Sequence, residues 1–120
     1  GSPSLAKSFP GFAQFGVTVA APEVLGGFER IGLQTTVNGE VRQQDTGGGM
    51  IVPVGELLAL ISRYTLLRPG DVVLTGTPAG TGDERGCYLA PGDVIEVTVG
   101  DLPALCSYVI ESTPTNGRAK

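Results

Sequence analysis

The sequence predicts a mainly β (α+β) protein with one principal helix. Nineteen glycines and nine prolines among 120 residues exceed average usage, and they follow no repeat. Short segments that alternate apolar and polar residues are separated by turn signals, which is typical of β-strands. One segment alone has a convincing helical spacing of apolar residues. Hydrophobic residues make up 41% of the chain, as in ordinary globular proteins.

Residues 5–20 are predicted to be irregular, because proline and glycine interrupt the aromatic residues Phe9, Phe12 and Phe15. We expect these rings to pack under a loop and to lead into a short strand at 17–19. Residues 32–46 are predicted to form a β-hairpin, since Asn38-Gly39 is the preferred type I′ turn between two alternating segments. Gln43 or Gln44 could face a ligand, although an exposed polar position is the default interpretation on a half-buried strand.

Three glycines at 47–49 indicate a flexible or closely approached backbone. The principal helix is predicted over Val54 to Leu66, where apolar residues recur at helical spacing, and Pro69 ends it. That apolar stripe indicates core packing more than a partner groove. The stripe consists of Leu57, Leu58, Ile61 and Tyr64.

A buried strand at Val72–Leu74 is predicted between the turn signal Pro69-Gly70 and the loop Thr75–Gly80. This loop carries two hydroxyls, two glycines and free backbone N–H groups, so it can serve as a tight connection or as a binding loop. Residues 82–86 indicate a polar, exposed turn, and the pair Asp83-Glu84 is more typical of a solvated loop than of a cation site. Two further strands are predicted near residues 95–99 and 105–111.

Composition excludes several classes of function. A net charge of −4 provides no electrostatic footprint for nucleic acid or an anionic membrane, and no apolar run approaches a membrane span. Cys87 and Cys106 lack the spacing of metal ligands; Cys106 is predicted to be a buried free thiol, with a disulfide between the two left open. Few thiols and no evident leader favour a cytoplasmic location. Because histidine is absent, candidate catalytic groups are carboxylates, hydroxyls, backbone groups and Lys7.

The segments PGDVVLTGTPAG and LAPGDVIEVTV resemble the C-terminal half of the catalytic domain of the fumarylacetoacetate hydrolase (FAH) superfamily. The resemblance extends back in order through GELLALISRYTLLRPGD, the Met50-Ile51 step, VNGEVRQ and the opening AKSF. It covers residues 5–112. We expect residues 1–4 to be an expression scar or disordered, and residues 113–120 to be a disordered tail.

The resemblance implies a mixed β-roll, usually dimeric, and metal-dependent cleavage of C–C bonds in acylpyruvates and related oxo-acids. In that family a Glu-x-Glu pair and an Asp bind Mg²⁺ or Mn²⁺, and the cation stabilises an enolate. Carried over residue by residue, the catalytic lysine of the KSF motif is Lys7, with Phe9 beside it. Thr77 matches the substrate-contacting threonine, and Gly76 shapes its loop.

This chain also departs from the family pattern. It has no Glu-x-Glu, and in the family both the metal carboxylates and the water-activating His/Glu pair precede KSF. Pro10 and Gly11 replace an acidic residue and a frequent hydroxyl, and Gly47-Gly48 stand where Asn-Thr-x-x is typical, unless Thr46 substitutes.

Three hypotheses follow from these departures. The chain is one part of a divided active site completed by another chain, a metal-free isomerase or cyclase, or a non-catalytic binding module. We expect an oligomer, either a homodimer or a complex with a chain that carries the missing half.

Overall fold

The computed structural model describes residues 7–111, so the predicted scar at 1–4 and tail at 113–120 lie outside the described residues. Four antiparallel strands form one sheet in the order β2-β1-β3-β4. The fold is mainly β with few helices, which confirms the predicted class. The strands are β1 (Gly32–Val37), β2 (Glu40–Thr46), β3 (Val94–Val99) and β4 (Leu105–Tyr108); the helices are α1 (Val54–Ile61) and α2 (Gly82–Arg85). Short 3-10 turns occupy Pro22–Leu25, Phe28–Arg30 and Gly47–Gly49.

The predicted hairpin of β1 and β2 is confirmed. Asn38 and Gly39 have φ values of 53° and 80°, the positive pair that a type I′ turn requires. The turn is also joined to β3, because the Asn38 backbone N–H donates to the Val94 carbonyl and the Val94 N–H donates to the Asn38 side-chain oxygen. The hairpin is therefore fixed to the centre of the sheet at its tip.

A β-bulge interrupts the hairpin near its turn. Thr35 faces Gln43, but Thr36 faces Val41, so Arg42 is an extra residue on β2. Because side chains alternate along a strand, Gln43 and Asp45 lie on the same face of the sheet. That face also carries the apolar residues Leu33, Val37, Ile95, Val97, Val99 and Leu105, whereas the opposite face carries Gln34, Thr36, Glu96 and Thr98.

Two predicted strands are wrong. Residues 17–19 and 72–74 adopt no strand, and Val17 and Leu74 are 99% and 82% exposed. A strand needs a neighbouring backbone to accept its hydrogen bonds. No segment within residues 7–111 pairs with either one, so neither forms a strand in the described part of the chain.

The principal helix is shorter than predicted. α1 ends at Ile61, and a turn continues it through a hydrogen bond from the Tyr64 N–H to the Ile61 carbonyl. Leu57 and Ile61 are half-buried, as expected for core positions, but Tyr64 is 84% exposed. The predicted stripe is therefore correct for Leu57 and Ile61 only, because Leu58 is exposed as well as Tyr64.

The other local predictions are confirmed only in part. The predicted polar turn at 82–86 is a short exposed helix, α2. Both cysteines are free, but Cys106 is exposed, so its predicted burial is wrong. The rings of Phe9 and Phe12 contact each other at 5.4 Å between centroids, yet both are exposed instead of packed under a loop.

Burial is sparse across the described residues. Ile31 is the only hydrophobic side chain in residues 7–111 that is buried, at 9% exposure. No helix in this part of the chain is long and apolar enough to cross a bilayer. The apolar face of the sheet is thus only half-buried within the described part of the chain.

Asp93 is expected to make stability depend on pH. Its carboxylate accepts hydrogen bonds from the Ala90 N–H and the Asn38 side-chain amide, both at 2.8 Å, and these bonds lower the pKa of Asp93. A lowered pKa stabilises the folded state above the unfolded carboxyl pKa of about 3.9, and this contribution is lost as pH falls through the folded value. Denaturant unfolding between pH 7 and pH 2.5 should therefore show a smaller acid-dependent loss for Asp93→Asn than for the wild type.

Asp101→Asn is the matched control, since it makes the same substitution at an exposed aspartate just after β3. An Asp93→Asn variant that loses stability with acid as steeply as the wild type would contradict the prediction.

Candidate functional site

A cleft of about 500 Å³ opens between β2, the start of α1 and the loop Thr75–Ala79. The apolar part of its lining comes from Leu33, the Met50–Val52 segment and Leu57. Its polar part comes from Asp45, Thr46, Thr75, Gly76 and Thr77. The predicted substrate-binding residues Gly76 and Thr77 therefore lie together in the lining of this cleft.

Gly76 has a φ of 111°, a conformation that side chains with a Cβ rarely adopt. It turns the backbone between two threonines that both line the cleft. The sequence predicted this loop as either a connection or a binding loop. Its position at the cleft is what a binding loop requires.

Gln43 joins this loop to the sheet through two hydrogen bonds. Its side-chain Nε2 donates to the Thr77 Oγ1 at 2.9 Å and to the Pro78 carbonyl at 2.7 Å. The sequence suggested that Gln43 or Gln44 could face a ligand, with plain exposure as the default. Alternation along β2 could have placed Gln43 on one face of the sheet, but the face depends on the bulge at Arg42. That bulge has no signature in the sequence.

A second set of contacts holds the loop at the bulge. The Arg42 carbonyl accepts a hydrogen bond from the Arg85 guanidinium at 3.2 Å, and Gly80 lies so close to that carbonyl that a Cβ would overlap it. Glu40 bridges both guanidinium groups, at 3.4 Å from Arg42 and 3.6 Å from Arg85. The loop is therefore attached to β2 at two adjacent residues.

The far end of the loop is closed by a capping box. The Thr81 hydroxyl accepts from the Glu84 N–H, while the Glu84 carboxylate accepts from the N–H groups of Gly80 and Thr81. These backbone bonds lower the pKa of Glu84. Glu84 therefore serves as a cap for α2, and its carboxylate is occupied by the loop backbone.

The triple glycine forms a close-packed corner of the cleft. The Phe28 carbonyl lies against Gly47, and the Asp45 carboxylate lies 2.6 Å from where a Cβ on Gly49 would stand. Of the two predicted interpretations, close approach is confirmed. Thr46, the residue suggested as a partial substitute for the missing Asn, lines the cleft.

Lys7 and Phe9 do not line this cleft. Lys7 is exposed, and Phe9 is 58% exposed with its ring against Phe12. Asp45 is the only ionisable side chain among the described lining residues. Its Oδ1 accepts a hydrogen bond from the Thr46 N–H at 2.7 Å.

The sequence model of the fumarylacetoacetate (FAA) hydrolase C-terminal domain matches residues 2–110. The chain belongs to the fumarylacetoacetate hydrolase family. An uncharacterised protein of Staphylococcus epidermidis is 37% identical over 107 residues, a match that covers 88% of this chain and 36% of the relative. The chain thus spans little more than a third of the curated relatives it matches.

Solved structures of the FAH family match the same fold. A fumarylacetoacetate hydrolase from psychrophilic Exiguobacterium antarcticum is 36% identical with a TM-score of 0.80, covering 88% of this chain and 39% of that one. A 5-carboxymethyl-2-hydroxymuconate delta-isomerase from Mycobacterium smegmatis is 34% identical with a TM-score of 0.64. The latter match covers 72% of this chain and 32% of that one. A fumarylacetoacetate hydrolase and an isomerase are therefore both among the solved structures that this chain resembles.

The metal that the FAH family implies does not fit the described residues. No group of three or more acidic or cysteine side chains within residues 7–111 is arranged to hold a cation. Hard divalent cations take six or more oxygen ligands, and Asp45 alone contributes a carboxylate to the cleft.

Proposed function

We propose that this chain supplies the oxo-acid-binding loop of an FAH-type hydrolase or lyase that cleaves a C–C bond in an acylpyruvate or a related oxo-acid. The observation that carries the proposal is the cleft in which Gly76 and Thr77 lie beside the sheet. In this proposal Thr77 and Gly76 hold the substrate carboxylate. Phe9 contacts the substrate and Lys7 is the catalytic cation once the completing chain brings their segment to the cleft, which neither residue lines in the described structure.

The chemistry of the loop suits a small carboxylate. Hydroxyl and backbone N–H donors bind carboxylate oxygens, and these charge-assisted hydrogen bonds are about twice as strong as neutral ones. When water adds to the acyl carbonyl and the C–C bond breaks, the bonding electrons pass to the pyruvate half as an enolate. An ammonium group near those oxygens, the role proposed for Lys7, stabilises the developing negative charge.

The charge of the cleft bears on how an anionic substrate would be held. Asp45 brings a negative charge to the lining, and no described lysine or arginine offsets it there. An anionic substrate therefore needs positive charge from outside this lining, from Lys7 or from a completing polypeptide, which supports a site that the lining alone does not complete. That polypeptide would supply the Glu-x-Glu pair, which this sequence does not contain, together with the metal-binding Asp and the base that activates water.

A reconstitution experiment tests the proposal. We expect this chain, mixed with a polypeptide that carries the Glu-x-Glu half of the FAH domain, to cleave acylpyruvates in the presence of Mg²⁺. Lys7→Met should lower kcat/KM by about 100-fold or more, since it removes transition-state charge stabilisation. Thr77→Val should lower kcat/KM by about 10-fold or more, since it removes a bond to a charged group.

Lys120→Met is the matched control, because Lys120 is the other lysine of the sequence, and it should leave kcat/KM unchanged. Turnover by this chain alone in excess EDTA would overturn the divided site. If the products are isomers of the substrate instead of a shorter acid and pyruvate, the FAH isomerase activity replaces the hydrolase.

A further inference from the structure

We infer that Gln43 is a positioning residue that makes the Thr77 hydroxyl a hydrogen-bond donor toward the cleft. The inference rests on the proposed function, because it deepens the role of Thr77 in holding an oxo-acid. It starts from the two bonds that one nitrogen makes, to the Thr77 Oγ1 at 2.9 Å and to the Pro78 carbonyl at 2.7 Å.

The chemistry of the amide fixes the direction of both bonds. A carbonyl oxygen can only accept, so the group facing Pro78 must be the NH₂ end of Gln43 and not its oxygen. That nitrogen has two protons and no available lone pair, so it donates to Thr77 as well. The Thr77 oxygen therefore acts as an acceptor toward Gln43.

A threonine hydroxyl has one proton and two acceptor lone pairs. With one lone pair engaged by Gln43, its proton is left to donate elsewhere. No acceptor within residues 7–111 is hydrogen-bonded to the Thr77 hydroxyl, and Thr77 lines the cleft. Gln43 thus leaves Thr77 as a donor, which is the polarity that a carboxylate oxygen requires.

The sheet keeps this arrangement in place. Gln43 is half-buried and lies next to the bulge residue Arg42, whose carbonyl is held by Arg85. Because the second bond of Gln43 goes to the Pro78 backbone, the glutamine holds the loop and the hydroxyl together. A side chain on the opposite face, such as Gln44, cannot replace it.

Gln43→Glu reverses the polarity at nearly constant size. A carboxylate accepts from Thr77 instead of donating to it, which consumes the proton meant for the ligand, and it has no proton for Pro78. We expect the affinity for oxalate, measured by calorimetry on the chain in the assembly in which it is isolated, to fall by about 10-fold or more. Gln44→Glu adds the same charge at the neighbouring position and should change affinity by less than about 2-fold.

A double-mutant cycle separates positioning from simple charge repulsion. On a Thr77→Val background, Gln43→Glu should weaken oxalate binding by no more than about 2-fold. The same roughly 10-fold loss on both backgrounds would overturn the inference, as would unchanged affinity in Gln43→Glu alone. In the wild type, Thr77→Val should also shift the NMR signal of one Gln43 side-chain amide proton.

Failure of the proposed function has a different signature. If the wild type binds no oxalate, the oxo-acid role of the loop and the ligand-donor role of Thr77 are both overturned. If the wild type binds oxalate but Gln43→Glu binds it equally well, only the positioning role of Gln43 is overturned.

Discussion

Gly80→Ala is expected to destabilise the protein by about 3 kcal/mol and to weaken ligand binding at the cleft. Two costs combine at this residue. Its φ of 97° is left-handed, which costs about 1–2 kcal/mol for a residue with a Cβ. The added methyl would also overlap the Arg42 carbonyl, and overpacking of this kind costs about 1–3 kcal/mol. Chemical denaturation followed by circular dichroism measures the sum.

The chain offers a matched control for each cost. Gly92 has the same φ of 97° but nothing within 4 Å of a built Cβ, so Gly92→Ala should cost only the strain of about 1 kcal/mol. Gly47 is not left-handed, but its Cβ would overlap the Phe28 carbonyl, so Gly47→Ala should cost the overlap alone. Equal losses for Gly80→Ala and Gly92→Ala would show that the loop is not held against Arg42.

This comparison also bears on function. A detached loop moves Thr77 away from Gln43, whereas strain at Gly92 lies outside the cleft lining. Gly80→Ala should therefore reduce oxalate affinity in the folded fraction, and Gly92→Ala should not. The contact between one glycine and one carbonyl thus links the stability of the bulge to the geometry of the binding loop.

The elements that depend only on neighbouring residues were predicted correctly from the sequence. Asn38-Gly39 specifies a type I′ turn by itself, and the hairpin it predicts is confirmed. The alternation near residues 95–99 likewise predicts β3. Such elements need only a turn and a pleat, both of which a short segment encodes.

Predictions that depended on distant parts of the chain were less successful. Val72–Leu74 has the composition of a buried strand, yet burial and pairing require other segments, and none within residues 7–111 supplies them. Cys106 is exposed for a related reason, since alternation identifies a face of the sheet but not what covers it. The sequence pattern therefore predicted that these residues favour strands and burial, but not which segments would pair with them or cover them.

The candidate site was likewise predicted only in part. The loop with Gly76 and Thr77 was predicted, and it lies at the cleft. The bonds of Gln43 were not predicted, because they depend on a one-residue bulge that sets which face the glutamine occupies. The catalytic role of Lys7 stays a prediction, and reconstitution with Lys7→Met tests it.

The exposed apolar surface leads to the second large expectation, that this chain associates. Within residues 7–111, twenty large hydrophobic side chains are exposed, among them Val72 and Leu74, whereas Ile31 is the only hydrophobic side chain that is buried. Exposed apolar surface on this scale marks sites of association.

We therefore expect the chain alone to elute as a homodimer or larger species in size-exclusion chromatography with light scattering. Adding a polypeptide with the Glu-x-Glu half should replace that species with a defined complex and suppress binding of the dye ANS, because apolar surface is then covered. Val72 and Leu74 are exposed, unpaired and apolar, so their segment is open to pairing with another chain. The double substitution Val72→Lys and Leu74→Lys should weaken either association by about 10-fold or more, since charged residues block edge pairing.

Gln44→Lys with Thr65→Lys is the control, because both positions are exposed and polar and the added charge is the same. It should leave association within about 2-fold of the wild type if apolar contact, and not net charge, drives it. A monodisperse monomer that binds little ANS would contradict the expectation, because the apolar face of the sheet would then be covered within the chain itself. In that case the divided site would lose its physical basis, and Lys7 and Thr77 would have to account for any activity without a partner.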